Sequence, residues 1–223
     1  MTAATAEPRK PVIIVISGRG SNMRALIEAS RAADSTFDVV RVLSDKPGAG
    51  GLTIARDLGV DALAVPAAGH RDRASYDGEL AETIEQTPPA LLVLAGFMRI
   101  LSPQFVRRYE GRMINIHPSL LPKYAGLHTH RRALAAGDSE HGATVHFVTE
   151  ELDGGPPVLQ ARVPVLAGDD EDSLSARVHR AEHKIFPVVV NWFCGGRLTY
   201  RDGRAWFDGG LLAAPLQWGE QIA

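Results

Sequence analysis

Short apolar runs alternate with amphipathic stretches along most of this chain, the pattern of βαβ units over a parallel sheet. PVIIVIS at 11–17 predicts a buried first strand, followed by the turn GRGSN and a helix over roughly 22–33. FDVVRVLS at 37–44 predicts a second strand, and LTIARDLGV a helix ending at Gly59. DALAVP predicts a third strand, with an acid-rich helix over 72–86 behind it. PALLVLAGF at 89–97 is continuously apolar, as a central strand covered on both faces must be. A short helix over 102–109, with Pro103 near its first turn, leads to the strand MINIH, which Pro118 stops.

Beyond Pro118 the pattern changes. A helix is expected over 127–136, while ATVHFVTE at 143–150 and PVLQARVPV at 157–165 alternate apolar and polar residues. That alternation predicts a more exposed, antiparallel part. EDSLSARVHRAEHKIFPVVVNWF places Leu174, Val178, Ala181, Ile185, Val188 and Trp192 at helical spacing, with Pro187 expected to kink or break the helix. After Gly196 come only short strand-like pieces, RLTY and RAWFDG. The expected fold class is α/β: a Rossmann-like, open, mostly parallel sheet flanked by helices, with an antiparallel C-terminal part. Residues 1–10 read as a frayed tail, and 11–223 as a single domain with a small C-terminal extension from about 196.

Composition narrows the function classes. A 45% hydrophobic fraction over 223 residues and a mean hydropathy of -0.06 fit one soluble core. With 24 basic against 26 acidic residues, no global field argues for nucleic acid or a membrane surface. The longest apolar run, ALLVLAG, is strand-sized, and MTAATAEPRK lacks the apolar centre of a signal peptide. The single cysteine, Cys194, rules out an intrachain disulfide and fits a reducing cytoplasm. Lys123, Arg131 and Arg132 remain as local basic residues for an anionic ligand.

Two stretches carry candidate chemistry. SGRGSN at 17–22 lies between a buried strand and a helix; Gly18 and Gly20 permit a tight turn, and Ser21 or Asn22 can cap the helix. Free N–H groups at such a helix start suit a phosphate. The dinucleotide fingerprint is missing its third glycine, where Met23 stands, and there is no Walker ending. In MINIH, Asn115 and His117 share one face of an otherwise apolar strand, at the edge where open α/β sheets bind ligands. Asn115 offers an amide donor to an oxyanion, and His117 a group that moves protons near neutrality. ELDGGPP at 151–157 supplies Asp153 as an orienting carboxylate. These residues alone leave a second reading open: an ordinary strand–helix turn, two satisfied core polar groups and a turn aspartate.

ISGRGSN, LAGFMRILS, INIHPSLLPKYAGLHTHRRAL, HGATVHFVTEELDGGP and VLQARVPV, in that order, resemble the folate-dependent phosphoribosylglycinamide formyltransferases. The resemblance runs from about Val12 to beyond Trp192, nearly the whole chain. It implies the formyltransferase fold and transfer of a formyl group from 10-formyltetrahydrofolate, a cosubstrate, to the amine of glycinamide ribonucleotide in purine synthesis. By matching positions it implies Asn115, His117 and Asp153 as the catalytic trio. Gly20, Ser21 and Asn22 would hold the phosphate, and Glu182 would lie near the ribose. Met98, Arg99, Ile100, Leu101, Asn115, Thr149, Glu150, Glu151, Leu152 and Asp153 would line the folate pocket, with Arg73 at the folate's acidic tail. His146 would support Asp153, and His128 and His130 would have structural or supporting roles.

No metal is expected, since the histidines lack paired ligand spacing. The expected partners are the ribonucleotide and the folate, without nucleic acid or membrane; a homodimer is left open. Three positions depart from the family pattern: Ala125, Asp45 and Thr144. A 10-formyltetrahydrofolate hydrolase shares the trio but would carry an extra N-terminal regulatory domain, for which 223 residues leave no room. Methionyl-tRNA formyltransferase would need a further C-terminal domain and a basic face. A folate- or nucleotide-binding module without catalysis is the third alternative.

Overall fold

The computed structural model describes residues 8–219. Eleven strands and six helices alternate in the order β1 (Lys10–Ile16), α1 (Ser21–Ser30), β2 (Phe37–Ser44), α2 (Gly50–Asp57), β3 (Asp61–Ala64), α3 (Arg73–Glu85), β4 (Leu91–Leu94), α4 (Pro103–Arg108), β5 (Met113–His117), α5 (Thr129–Ala136), β6 (Glu140–Phe147), β7 (Pro157–Pro164), α6 (Glu171–Cys194), β8 (Leu198–Arg201), β9 (Arg204–Phe207), β10 (Gly210–Leu211) and β11 (Leu216–Gln217). The main sheet has the order β11-β7-β6-β5-β4-β1-β2-β3, and β8, β9 and β10 form a separate antiparallel sheet.

Strands β3, β2, β1, β4 and β5 run parallel; β6 lies antiparallel to β5, and β7, antiparallel to β6, runs again in the first direction. The middle of β1 shows why. Val12 to Ile16 are all 0% exposed, and they divide by parity between two cores. Val12, Ile14 and Ile16 pack with Met23, Leu26 and Ile27 of α1 and Ile185 and Phe186 of α6. Ile13 and Val15 pack with Tyr76 and Leu80 of α3 and Phe105 of α4. A strand covered on both faces needs apolar residues at every position, and this one has them.

Capping sets the long helices. Asp170 accepts the Ser173 N–H while the Ser173 hydroxyl meets the Asp170 N–H, and Asp72 with Ser75 repeats the arrangement on α3. The α6 helix runs unbroken through Pro187, so the expected break is absent: neighbouring turns packed on the core hold it. Other boundaries also move. Lys10 opens β1, β4 is shorter than its apolar run, and β6 begins at Glu140 and ends at Phe147, three residues earlier than the alternation suggested. Leu216–Gln217 returns to pair with β7 in the main sheet. Residues 1–7, most of the expected tail, lie outside the described residues, as do 220–223. Among the described residues no helix is long and apolar enough to cross a membrane.

Candidate active site

The strand order reverses between β1 and β4: the chain leaves β1 toward β2 and leaves β4 toward β5. Loops departing in opposite directions open a crevice there. Its floor is tied together, because Ser17 N–H donates to the Gly96 carbonyl (3.1 Å) and Met98 N–H donates to Ser17 Oγ (2.9 Å). A cleft of 410 Å³ extends from the β4 loop across the end of β5, lined by Met98, Asn115, His117, Leu127, His130 and Asp153 among others. A narrower one of 110 Å³ adjoins it, between Leu101, Asn115, His146 and the segment 148–153.

The expected trio meets at this place. Asp153 Oδ2 lies 3.3 Å from His117 Nδ1 and accepts the Gly126 N–H at 2.8 Å. The other ring nitrogen of His117, Nε2, donates to the Tyr124 carbonyl at 2.9 Å. Both nitrogens thus face acceptors. His146 behaves differently. Its Nδ1–H donates to its neighbour's carbonyl on Phe147 (2.9 Å), so Nε2 accepts from Asn115 Nδ2 (3.1 Å). Burial pushes its pKa down, which keeps the ring neutral and that tautomer fixed. Asn115 retains a second amide hydrogen and faces both clefts. His146 Nε2 is also 3.8 Å from Asp153 Oδ1, beside the aspartate as expected.

The backbone presenting these groups is strained. Tyr124, His128 and Asp153 all have φ between 54° and 59°, a region that costs L-residues energy. Asp153 reaches the site because glycines follow it; a Cβ on Gly155 would collide with the Phe147 carbonyl.

At the other end lies the glycine loop. Gly20 is the N-cap of α1, with φ 75°, and Ser21 and Asn22 already belong to the helix, so neither caps it. A Cβ on Gly20 would stand 3.0 Å from the Gly51 Cα, and Gly51 N–H donates to the Gly18 carbonyl at 3.0 Å. Two backbones this close leave room only for glycine. Asn22 turns inward instead and donates to Glu182 Oε2 at 2.8 Å. His179 Nδ1–H donates to the same oxygen at 2.8 Å, leaving Oε1 without a hydrogen-bond partner among the described residues. Burial alone would raise the Glu182 carboxyl, but bonds from His179 and Asn22 outweigh it and hold it below its usual value. His179 rises, chiefly through its bond to Glu182.

The remaining expected positions divide. Met98, Ile100 and Leu152 are exposed large apolar side chains on the wall of the cleft, as is Leu127, which the sequence reading did not single out. Arg99 lines both clefts and stacks its guanidinium 4.8 Å above the Tyr76 ring. Leu101, Thr149, Glu150 and Glu151 line the narrower cleft, where Glu150 pairs with Arg107. Arg73 stands exposed at the start of α3 and lines neither cleft. His179 and the His130–His141 pair, whose nearest nitrogens are 3.2 Å apart, were missed as site residues. Their signal was weak: His179 and Glu182 are three positions apart and read as ordinary polar neighbours on a helix, and His130 meets His141 only because α5 packs beside β6. Among the described residues no cluster of His, Cys, Asp and Glu could hold a metal ion.

A sequence profile of the formyl transferase family matches residues 10–190. The chain is 53% identical over 201 residues to the phosphoribosylglycinamide formyltransferase of Escherichia coli, spanning 90% of this chain and 95% of that protein. Against the Haemophilus influenzae protein of the same name it is 41% identical over 203 residues, spanning 91% and 96%. The solved structure of phosphoribosylglycinamide formyltransferase from Coxiella burnetii, in complex with CHES, has a TM-score of 0.89 at 44% identity. That match spans 94% of this chain and 100% of the other.

Proposed function

The chain belongs to the formyl transferase family, and we propose that it transfers the formyl group of 10-formyltetrahydrofolate to the amine of glycinamide ribonucleotide. The observation that carries this reading is the convergence of Asn115, His117 and Asp153 on one cleft whose rim is apolar. An acyl transfer needs an oxyanion donor and a proton carrier at one point, and a flat folate ring needs apolar walls.

In this reading the amine attacks the formyl carbon and forms a tetrahedral adduct. The free amide hydrogen of Asn115 and the His117 imidazolium, exchanging the Tyr124 carbonyl for the new oxygen, stabilise its negative charge. The adduct collapses as the bond to the folate nitrogen breaks, and that nitrogen receives a proton by way of His117. Asp153 holds the ring in place and balances its charge. The ribonucleotide lies with its phosphate on the α1 N-terminal amides at Gly20–Asn22 and a ribose hydroxyl on Glu182 Oε1. The folate ring lies among Met98, Ile100, Leu101 and Leu152, and its acidic tail leaves toward Arg73. We place the protein in the cytoplasm, with these two small molecules as its partners and without nucleic acid or membrane.

The test mixes purified protein with 10-formyltetrahydrofolate and follows tetrahydrofolate release, with and without glycinamide ribonucleotide. Release that requires the ribonucleotide is the expected result. Release to water alone would replace this reading with a hydrolase.

A further inference from the structure

Acyl transfer to an amine moves more protons than the trio accounts for. The glycyl amine of the substrate is an α-amino group, and such groups have pKa values of about 7.7–8.0, so it arrives mostly as ammonium near pH 7. An ammonium has no lone pair for attack. His117 cannot accept the surplus proton in the arrangement described above, because both its nitrogens already face acceptors.

A second histidine of the cleft is in the opposite condition, and a chain of contacts fixes it. The Pro118 carbonyl accepts from the His141 ring, and a carbonyl has nothing to donate, so that ring nitrogen bears hydrogen. Burial lowers the His141 pKa to about 4, which keeps the ring neutral and Nε2 bare. Across 3.2 Å, His130 Nδ1 must then be the donor. His130 is also kept neutral, chiefly by burial, so its own Nε2 carries a lone pair. That nitrogen has no hydrogen-bond partner among the described residues, and His130 lines the same cleft as Asn115, His117 and Asp153. The charged and titratable groups around it are His141 on β6, Glu182, His179 and Glu171 on α6, and His117 on β5. It therefore feels both the carboxylate assigned to the ribonucleotide and the catalytic histidine, and shares a cleft with the latter.

We propose that His130 is a catalytic base that takes a proton from the substrate ammonium through Nε2, with His141 as the positioning residue that fixes its tautomer. This deepens the formyl-transfer reading and rests on it. The protons then balance. One leaves the ammonium for His130 and passes to solvent; the freed lone pair forms the new carbon–nitrogen bond. A second leaves the adduct nitrogen and reaches the folate nitrogen through His117 as that carbon–nitrogen bond breaks. The products are formylated ribonucleotide, tetrahydrofolate and one released proton.

A pH profile of kcat/KM separates this role from a structural one. Without the base, only substrate that is already free amine reacts, about a tenth of the total one unit below its pKa. His130→Gln should lose about tenfold at pH 6.8, with the loss fading to within about twofold at pH 9. His141→Leu, an apolar replacement in a buried place, should show a smaller loss with the same recovery. Wild-type protein assayed alongside keeps the two readings apart: ribonucleotide-dependent release by wild type upholds the transferase whatever the variants do. A loss that does not recover with pH, or no loss, in His130→Gln would overturn the proposal; where that variant does not fold, His141→Leu decides by the same criterion.

Discussion

Two buried carboxylates, Asp153 and Glu182, each take a histidine partner, yet they are built for different work. Asp153 sits on a loop at φ 54°, between two histidines and a backbone N–H. Glu182 sits in the middle of a 24-residue helix, with both of its hydrogen bonds on one oxygen. The first arrangement keeps a carboxylate beside the ring that, in the proposed function, gains and loses protons. The second keeps a carboxylate ionised and still, with Oε1 left for the ribose hydroxyl that the proposed function assigns to it. Rigid helices suit binding, and strained loops held by glycine suit chemistry.

The difference is sharpest where chemistry is removed outright. Asn115→Ala and His117→Ala should each keep the fold, checked by circular dichroism, and lower kcat by roughly a hundred- to a thousandfold, the usual cost of an oxyanion donor. Near-wild-type turnover in both would remove the catalytic role from this end of the molecule.

At the other carboxylate the expected effect is on binding. Glu182→Gln should raise KM for the ribonucleotide roughly ten- to a hundredfold, the range of a lost charged hydrogen bond. Stability should change with pH in a stated direction. The raised His179 contributes fully below its ordinary 6.5 and loses that contribution as pH rises through its folded value. The lowered Glu182 contributes fully above its ordinary 4.5 and loses it as pH falls. The gap in Tm between wild type and Glu182→Gln should thus be widest between pH 4.5 and 6.5 and narrow toward pH 8. A gap that widens with rising pH would contradict the pairing. A smaller effect should follow from Gly51→Ala, whose Cβ would press on the Ile16 side chain: about 1–3 kcal/mol in urea unfolding, with weaker ribonucleotide binding. Unchanged stability would mean that the glycine loop has room to spare.

The two ends also differ in how they can be read from sequence. Asn115 and His117 announce themselves, since two polar residues on one face of MINIH need a pocket. The parallel half of the sheet is equally legible, because a strand buried on both faces is apolar throughout. Glu182 is not legible in that way. On a helix it reads as one more polar residue, and of its two partners Asn22 stands 160 positions away. Strand β6 begins early for a similar reason. His141 and Gly142 interrupt the apolar alternation, yet one ring is satisfied by His130, and the other residue lies against the Ala161 carbonyl. Leu127 and His130 enter the cleft through left-handed turns at Tyr124 and His128, which no periodicity encodes.

The division of labour stands on one pair of variants. Steady-state kinetics of Asp153→Asn and Glu182→Gln, with both substrates varied, separates turnover from binding. Asp153→Asn should lose kcat with little change in folate binding or in KM for the ribonucleotide, and Glu182→Gln should raise that KM while kcat stays within a few-fold. The reverse pattern, or equal losses in kcat from both, would contradict it.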